Sequence, residues 1–209
     1  MITRLIGDIH CNINSKVLMS PNSIQLGDLC LFNYNKFEFK DNKPRYFIDG
    51  NHDHHPSLQH NSKKIQKIKN GLYYIPRGYI SKETLFIGGA DSIDKGSRTP
   101  GYDFFYEETI SENQLYDILN KGNKTKIKAI VSHSCPLFIL KKIVPIIYNN
   151  FIHTSRCLEL IYEKFQPSLW IFSHYHLGVT IQYNNCKFIC VNMDSLIKVD
   201  LPINNNLEE

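Results

Sequence analysis

Several features that define other classes of protein are missing from these 209 residues. No apolar run approaches the roughly 20 residues that a membrane-spanning helix needs. We expect no secretory signal, because a β-like run begins at once and ends at Asp8. There is no internal repeat, linker or low-complexity segment. We therefore expect one domain at 1–203, a disordered polar tail at 204–209, a cytoplasmic location and no membrane partner.

Paired cysteines are also missing. The sequence has six cysteines but no Cys-x-x-Cys spacing, which is typical of many zinc and redox sites. Without a secretory signal, their even number does not indicate disulfides. We expect reduced and mostly buried thiols at Cys11, Cys30, Cys135, Cys157, Cys186 and Cys190.

Strong charge of one sign is missing as well. The formal net charge of +4 permits an anionic substrate but does not by itself indicate nucleic acid. The segment from Gln59 to Asn70 is the most basic, with Ile65 and Ile68 set among lysines. We interpret this segment as a solvated face of an amphipathic helix; the alternative is a basic patch for a polyanion.

Metal-competent side chains follow five apolar, strand-like runs. In sheets flanked by helices, the loops after the carboxyl ends of parallel strands gather at one edge, where ligands bind. The five runs are 5–7, 24–27, 46–50, 129–132 and 169–173. The side chains that follow them are Asp8 and His10, then Asp28, Asn51, His133, and finally His174 and His176. We expect these donors to meet and bind metal.

The remaining pattern alternates short strands with few helices. Strands are predicted at 72–75, 84–87, 179–183, 187–191 and 196–199, with a hairpin turn at Asn184-Asn185. A capping box at Ser111 predicts the start of one helix, and the apolar spacing predicts another over 153–165. Between Asp91 and Glu108 lies a long loop, and loops of that length are usually functional or mobile.

The donor set contains carboxylates, imidazoles and an amide, but no thiolate. It suits manganese foremost, with iron, zinc, nickel or magnesium as alternatives. Seven donors exceed the needs of one ion, so two divalent ions sharing Asp28 are expected. Two such ions bring +4, while two aspartates and a bridging hydroxide remove 3, which leaves about +1 to attract a phosphate ester. The hydroxide would attack phosphorus in line, and His52, beside Asn51 but surplus to the ligands, is the candidate general acid.

The order Asp-x-His, Gly-Asp, Gly-Asn-His-Asp, Ser-His and Ser-His-x-His resembles that of the calcineurin-like metallophosphoesterase family. The resemblance spans Ile6 to His176 and is closest to small members from bacteria and their viruses. It implies an α/β fold, a four-layer αββα sandwich of two packed mixed sheets flanked by helices, with the metal site at the carboxyl ends of the strands. It also implies two metal sites that share Asp28, with His52 as the catalytic imidazole. By this resemblance the ligands are Asp8, His10, Asp28 and His176 for one metal, and Asp28, Asn51, His133 and His174 for the other.

The sequence departs from the family pattern after Asp28. Members that are protein phosphatases carry Asp and then Arg there, but 29–32 reads Leu-Cys-Leu-Phe. This argues against a serine/threonine protein phosphatase and leaves the substrate contacts open. The candidates are Arg98, Asp94 and Arg77 in loops, since a guanidinium fork suits phosphate. A surface role for the arginines is the alternative, and the aromatic residues 102–106 either stack on a base or pin the loop.

The sequence thus predicts a metal-dependent phosphoric ester hydrolase, either a phosphatase or a phosphodiesterase. Its expected substrate is a small phosphoester or a nucleotide. One alternative is a nuclease or nucleotide phosphodiesterase that acts on nucleic acid, and another is a non-catalytic scaffold of the same fold. The sequence does not indicate an oligomeric state.

Overall fold

Two six-stranded mixed sheets pack face to face in this α/β protein. The computed structural model describes residues 2–12, 20–30, 39, 41–121, 126–146, 152–204 and 207. For 11–21 the sequence predicts at most a turn or two of helix, and for 33–42 an irregular loop; both segments fall largely outside the described residues. In the part of the chain that the structure describes, no helix combines the length and apolar character that a membrane span requires.

The first sheet has the strand order β12-β1-β2-β3-β5-β4. Its central strands β1, β2, β3 and β5 are parallel, whereas β12 and β4 run antiparallel at the edges. The strands are β1 (Ile2–Ile6), β2 (Ser23–Gln25), β3 (Arg45–Phe47), β4 (Gln66–Lys69), β5 (Leu72–Tyr74) and β12 (Leu196–Asp200).

The second sheet has the strand order β10-β11-β9-β8-β7-β6. Strands β7, β8, β9 and β11 are parallel, and β6 and β10 are the antiparallel edges. The strands are β6 (Tyr79–Ser81), β7 (Thr84–Ile87), β8 (Ala129–Ser132), β9 (Leu169–Phe172), β10 (Val179–Tyr183) and β11 (Cys186–Cys190).

Apolar side chains of both sheets form the central core. Leu5, Ile24 and Ile48 of the first sheet meet Phe86, Val131 and Ile171 of the second, and all six are at most 1% exposed. The outer face of the second sheet is covered by the described helices α1 (Glu112–Lys121), α2 (Leu137–Ile143) and α3 (His153–Phe165). The predicted fold class is confirmed, because two packed mixed sheets with flanking helices are present.

Helices α1 and α3 begin where the sequence predicts. Ser111 Oγ accepts a hydrogen bond from the backbone of Gln114, and the Gln114 side chain accepts one from the Ser111 backbone, which completes the capping box. Helix α3 matches the predicted range of 153–165. The hairpin between β10 and β11 turns at Asn184, whose φ of 48° is in the left-handed region that asparagine tolerates.

The prediction of an amphipathic helix between Gln59 and Asn70 is wrong. Residues 66–69 form the edge strand β4, which pairs antiparallel with β5 through a register shift between Lys67 and Lys69. Ile68 packs against the outer core of the first sheet. Two isoleucines three residues apart are a weak helical signal, and pairing with β5 outweighs it. Lysines on such an edge also oppose pairing with another chain.

Strand β6 was not predicted from the sequence, because it follows Pro76-Arg77-Gly78 directly and is only three residues long.

The six cysteines form no disulfide; five are buried and Cys11 is exposed. In the tail, Leu207 is buried and its carbonyl accepts a hydrogen bond from the Tyr79 hydroxyl. Asn204 donates its backbone N–H to Ser81 Oγ at 2.9 Å. The rest of the predicted disorder of 204–209 falls on 205, 206, 208 and 209, which are outside the described residues, and stays a prediction.

Candidate metal centre

The carboxyl ends of five parallel strands meet at one edge of the sandwich. Three belong to the first sheet and two to the second, so the edge contains loops from both sheets. The strands β1, β2, β3, β8 and β9 deliver, in that order, Asp8 with His10, Asp28, Asn51, His133, and His174 with His176. All seven predicted donors therefore lie in loops that follow these strands.

Four of these seven residues have left-handed backbone conformations. The φ angles are 47° for His10, 52° for Asp28, 67° for His174 and 54° for His176. Non-glycine residues at positive φ cost of order 1–3 kcal/mol each and concentrate at functional sites. The fold thus holds four donors in strained loops. This indicates that the orientation of these four side chains is maintained even though the strained backbone lowers local stability.

Glycines allow the loops to approach one another closely. A Cβ atom at Gly50 would overlap the Asp28 carboxylate, and one at Gly27 would overlap the His133 ring. Gly27 also has a φ of 96°. These contacts explain why glycine precedes Asp28 and Asn51 in the sequence.

One group of donors contains Asp8, His10 and His176. His176 Nε2 lies 3.1 Å from Asp8 Oδ2 and 2.9 Å from His10 Nε2. The other oxygen of Asp8 accepts a 2.5 Å hydrogen bond from the Ser173 hydroxyl, which fixes the carboxylate. Ser173 therefore supports a donor.

A second group contains Asp28, His133 and His174. His133 Nε2 is 3.5 Å from Asp28 Oδ1 and 3.2 Å from Asn51 Oδ1. His133 Nδ1 lies 2.6 Å from the Leu26 carbonyl. Because Nδ1 donates its proton to that carbonyl, Nε2 is the ring nitrogen that faces the other donors, as in metal-binding histidines.

Asp28 lies between the two groups. Its Oδ1 atom is near His133, while its Oδ2 atom is 3.7 Å from His10 Nε2 of the other group. Oδ1 also accepts a 2.9 Å hydrogen bond from the His52 backbone N–H. One carboxylate can therefore reach two adjacent sites.

The electrostatics of the centre favour positive charge. Burial alone would raise the pKa of Asp28, but His133 and the neighbouring histidines hold that pKa below its ordinary value. Burial opposes protonation of His133, yet Asp28 and Asp8 raise its pKa to about 10. Among the described residues, no lysine or arginine forms an ion pair with Asp8 or Asp28.

The donors fit a pair of divalent cations. Asp8 Oδ2 is buried and accepts no hydrogen bond, although His176 Nε2 is near it. A buried carboxylate oxygen without a partner is costly unless a cation binds it. Oxygen and imidazole nitrogen are also the ligands that manganese, iron and zinc prefer.

The profile of the family described as calcineurin-like phosphoesterase matches residues 4–178. This range contains all seven donors, the whole of β2, β3, β8 and β9, and residues 4–6 of β1. The chain belongs to the calcineurin-like phosphoesterase family. It is accordingly a metal-dependent phosphoester hydrolase, of a family whose metal centre is dinuclear.

Further comparisons add a likeness of fold. The crystal structure of phosphopantetheinyl hydrolase (PptH) from Mycobacterium tuberculosis is similar over 92% of this chain and 90% of that one. The two sequences are 14% identical, and the TM-score is 0.49. No curated protein sequence matches this calcineurin-like phosphoesterase.

A chain of hydrogen bonds that the sequence did not reveal supports Asn51 in this phosphoesterase. Asn51 Nδ2 donates to Ser92 Oγ at 2.8 Å, and Ser92 Oγ donates to Glu108 Oε2 at 2.5 Å. Arg98 donates to the same Glu108 oxygen at 2.7 Å. The only available sequence signal was that the loop from 91 to 108 is unusually long for a compact domain.

Arg98 is part of this internal network. Its guanidinium also donates to the Asp103 carbonyl at 2.8 Å and pairs with Asp94 at 3.2 Å, and its side chain is only 8% exposed. Arg98 Nη1 also lies 3.5 Å from the Asn51 carbonyl oxygen, so the guanidinium supports the backbone of Asn51. A contact of Arg98 or Asp94 with the substrate stays a prediction, and the Asp94 side chain is 43% exposed.

Arg77 is buried in a separate set of contacts around Asp49. Its side chain is 1% exposed and pairs with Asp49 through its Nε atom, at 3.0 Å, and its Nη2 atom. It also donates to the backbone carbonyls of Glu107 and Thr109. The guanidinium N–H groups of Arg77 already donate to these partners, so Arg77 holds the loop before α1 against the end of β3. We therefore do not propose Arg77 as a substrate contact.

His52 is half-buried at the rim of the centre. Its ring lies 5.4 Å from the His10 ring, centroid to centroid, in an edge-to-face arrangement. No described side chain forms a hydrogen bond with the His52 ring. The next residue, Asp53, has a structural role, since its two oxygens each accept a 2.8 Å hydrogen bond, from the Cys30 and Gly50 backbones.

Proposed function

We propose that this protein hydrolyses phosphate mono- or diesters at a two-metal centre in which Asp28 is the shared ligand. The observation that carries the proposal is the position of Asp28, with one oxygen near His133 and the other near His10. The remaining ligands on one side are Asp8, His10 and His176, and on the other Asn51, His133 and His174.

When bound, two divalent ions, manganese foremost, would neutralise charge on the phosphate and lower the pKa of a bound water molecule. The side chains of the protein would orient the ions. No described lysine or arginine forms an ion pair with Asp8 or Asp28, so these carboxylates are available to the ions. Ser173 and Ser92 fix the directions of Asp8 and Asn51. The Leu26 carbonyl fixes the His133 ring.

His52 assists the departure of the leaving group. In hydrolysis the water oxygen forms a new bond to phosphorus, the ester P–O bond breaks, and the departing oxygen must gain a proton. The His52 ring has no described hydrogen-bond partner and lies beside the ring of the ligand His10. A protonated imidazole in this position can donate to the departing oxygen, as a general acid does.

The proposal is tested by replacing the shared ligand. We expect Asp28→Asn to bind fewer than two manganese ions and to lose turnover of an aryl phosphate by at least about 100-fold. Metal content by elemental analysis and manganese affinity by calorimetry are measured beside activity. The matched control is Asp117→Asn, which replaces an exposed aspartate on α1 and should keep two metals and full turnover. Two bound metals and full activity in Asp28→Asn would contradict the proposal.

The class of ester is measured with paired aryl monoester and diester substrates across manganese, nickel, zinc and magnesium. This comparison separates a phosphatase from a phosphodiesterase and identifies the preferred ion. Failure of every substrate with every ion, in a protein that still binds two metals, would indicate the non-catalytic alternative.

A further inference from the structure

A cavity of about 370 Å³ opens directly beside the donors His174 and His176. Ligand pockets for small molecules span about 300–1,000 Å³, so this cavity is at the small end of the range. A larger cavity of about 680 Å³ lies beside His60, Arg77 and Gln114, but none of the seven donors lines it. Of these two cavities, the smaller one adjoins the place where a phosphoester would bind.

Aliphatic side chains form one wall of the smaller cavity. They come from the loop after β7 and from the segment that contains α2, and they are Ile93, Leu140, Val144 and Ile146. Ile93 is 76% exposed and Ile146 is 65% exposed, which is unusual for large aliphatic residues in a folded enzyme. Exposed apolar side chains at the rim of a cavity indicate a surface that a ligand covers.

Apart from the donors His174 and His176, the polar groups that line the cavity have hydrogen-bond partners within the protein. The Ser134 hydroxyl lies 2.7 Å from the Tyr175 hydroxyl and 3.5 Å from Ser155 Oγ. Asp91 accepts a 2.7 Å hydrogen bond from the Thr154 backbone at the start of α3. These groups therefore do not need a polar ligand to replace water.

The charge in the cavity opposes an anion. Among the described lining residues there is no lysine or arginine, and Asp91 is a carboxylate. A second phosphate or a carboxylate of the substrate that lay beside Asp91, on the side of the cavity away from the metal centre, would have no lysine or arginine to compensate its charge, which is unfavourable at low dielectric.

We propose that this cavity binds an uncharged, apolar organic group of the substrate, so that the preferred substrate is a phosphoester with an alkyl or aryl group and not a polynucleotide. The inference rests on the proposed function, because the phosphate must lie at the metal centre for its organic group to reach the cavity. The cavity and the metal centre are continuous, because His174 and His176 line the cavity and also belong to the two groups of donors.

The test uses substrates that differ only in apolar length. For a monoesterase these are 4-alkylphenyl phosphates, and for a diesterase alkyl 4-nitrophenyl phosphates, in both cases from methyl to octyl. We expect kcat/KM to rise about fourfold for each of the first few methylenes, since each buried methylene contributes about 0.8 kcal/mol. A matched substrate with a terminal carboxylate should lose this gain.

Substitutions at the rim test where the group binds. The double variant Ile93→Ser with Ile146→Ser changes two exposed side chains and should reduce the chain-length gain while it preserves turnover of the methyl substrate. Val144→Trp, which fills the cavity, should do the same for the longest substrates. The control is Leu160→Ser, which removes a 47%-exposed leucine that does not line the cavity and should leave the series unchanged.

Binding of alkylphosphonates, which are not hydrolysed, is measured by calorimetry on the manganese-loaded protein. A series with no dependence on chain length, or a gain that survives in the rim variants, overturns the inference but leaves phosphoester hydrolysis intact. A preference for the carboxylate-bearing substrate also overturns it. If affinity rises with chain length but no ester is hydrolysed, the cavity is supported and the proposed function is contradicted.

Discussion

Asn51 donates a hydrogen bond across 2.8 Å to Ser92, a residue 41 positions later in the chain. Because the Ser92 proton is directed to Glu108, the serine oxygen can only accept from the Asn51 amide nitrogen. This contact decides which end of the amide faces the metal centre. The Asn51 oxygen therefore points toward His133, at 3.2 Å, where a cation can bind it.

The first prediction concerns this contact. Ser92→Ala removes the acceptor and frees the Asn51 amide to rotate, so we expect the affinity for one of two manganese ions to fall about 10- to 100-fold. Calorimetric titration with manganese measures the two sites separately. The matched control is Ser97→Ala in the same loop, where the exposed hydroxyl donates only to the Asp94 carbonyl. Equal affinities in both variants would show that Ser92 does not position the ligand.

The second prediction concerns the proton donor. His52→Gln should reduce turnover of an alkyl phosphate by about 10²- to 10⁴-fold, because an alkoxide needs a proton to leave. The loss on 4-nitrophenyl phosphate should be much smaller, since nitrophenolate leaves unprotonated. Turnover is measured on both substrates with the same metal loading. His54→Gln is the control, as His54 lies two residues away and contacts Ser57. Equal losses on the two substrates would remove His52 from this role.

The third prediction concerns the buried pair of Arg77 and Asp49. Burial acts to raise the pKa of Asp49, but Arg77 holds it well below its usual range, so the carboxylate is charged in the folded protein. Arg77→Met leaves this charge without its partner and should lower the free energy of unfolding by about 3–5 kcal/mol. Urea denaturation measures the change. Arg156→Met, at an exposed position of α3, should change it by no more than about 0.5 kcal/mol.

The fourth prediction is a dependence of stability on pH. Burial lowers the pKa of His55 to about 3, and its Nε2 atom is buried without a hydrogen-bond partner. In the unfolded chain the His55 imidazole has the ordinary pKa of about 6.5. Between pH 3 and pH 6.5 it therefore binds a proton in the unfolded chain but not in the folded protein. The contribution of neutral His55 to the free energy of unfolding is therefore fully present above pH 6.5. It decreases as the pH falls toward 3, by at most about 1.4 kcal/mol per pH unit.

The contribution of His55 is isolated by comparing denaturation curves of the wild type and His55→Gln, with metal chelated, between pH 6.5 and pH 4. The variant should show a shallower decrease. His153→Gln, which replaces an exposed histidine on α3, should keep the wild-type slope. Identical slopes for the wild type and His55→Gln would contradict the assignment.

Local rules account for the parts of the centre that the sequence located. A parallel strand fixes the direction of the chain, so the residue after its carboxyl end must lie at one edge of the sheet. Asp8, Asp28, Asn51, His133 and His174 each follow such a strand, and this rule needs no knowledge of neighbouring side chains. The helix at 153–165 was likewise predictable from local sequence, because its apolar spacing persists over more than three turns.

Tertiary structure alone decided the rest. The strand at 66–69 exists because it pairs with β5, although its own pattern resembles a short helix. Arg77, placed by sequence among substrate contacts, became a buried partner of Asp49 because chain folding brought the two within hydrogen-bonding distance. The sequence by itself thus determined which side chains can bind metal, since this depends on strand direction. Only the fold determined which residues support them and where an apolar group can lie, because those contacts join segments that are distant in the chain.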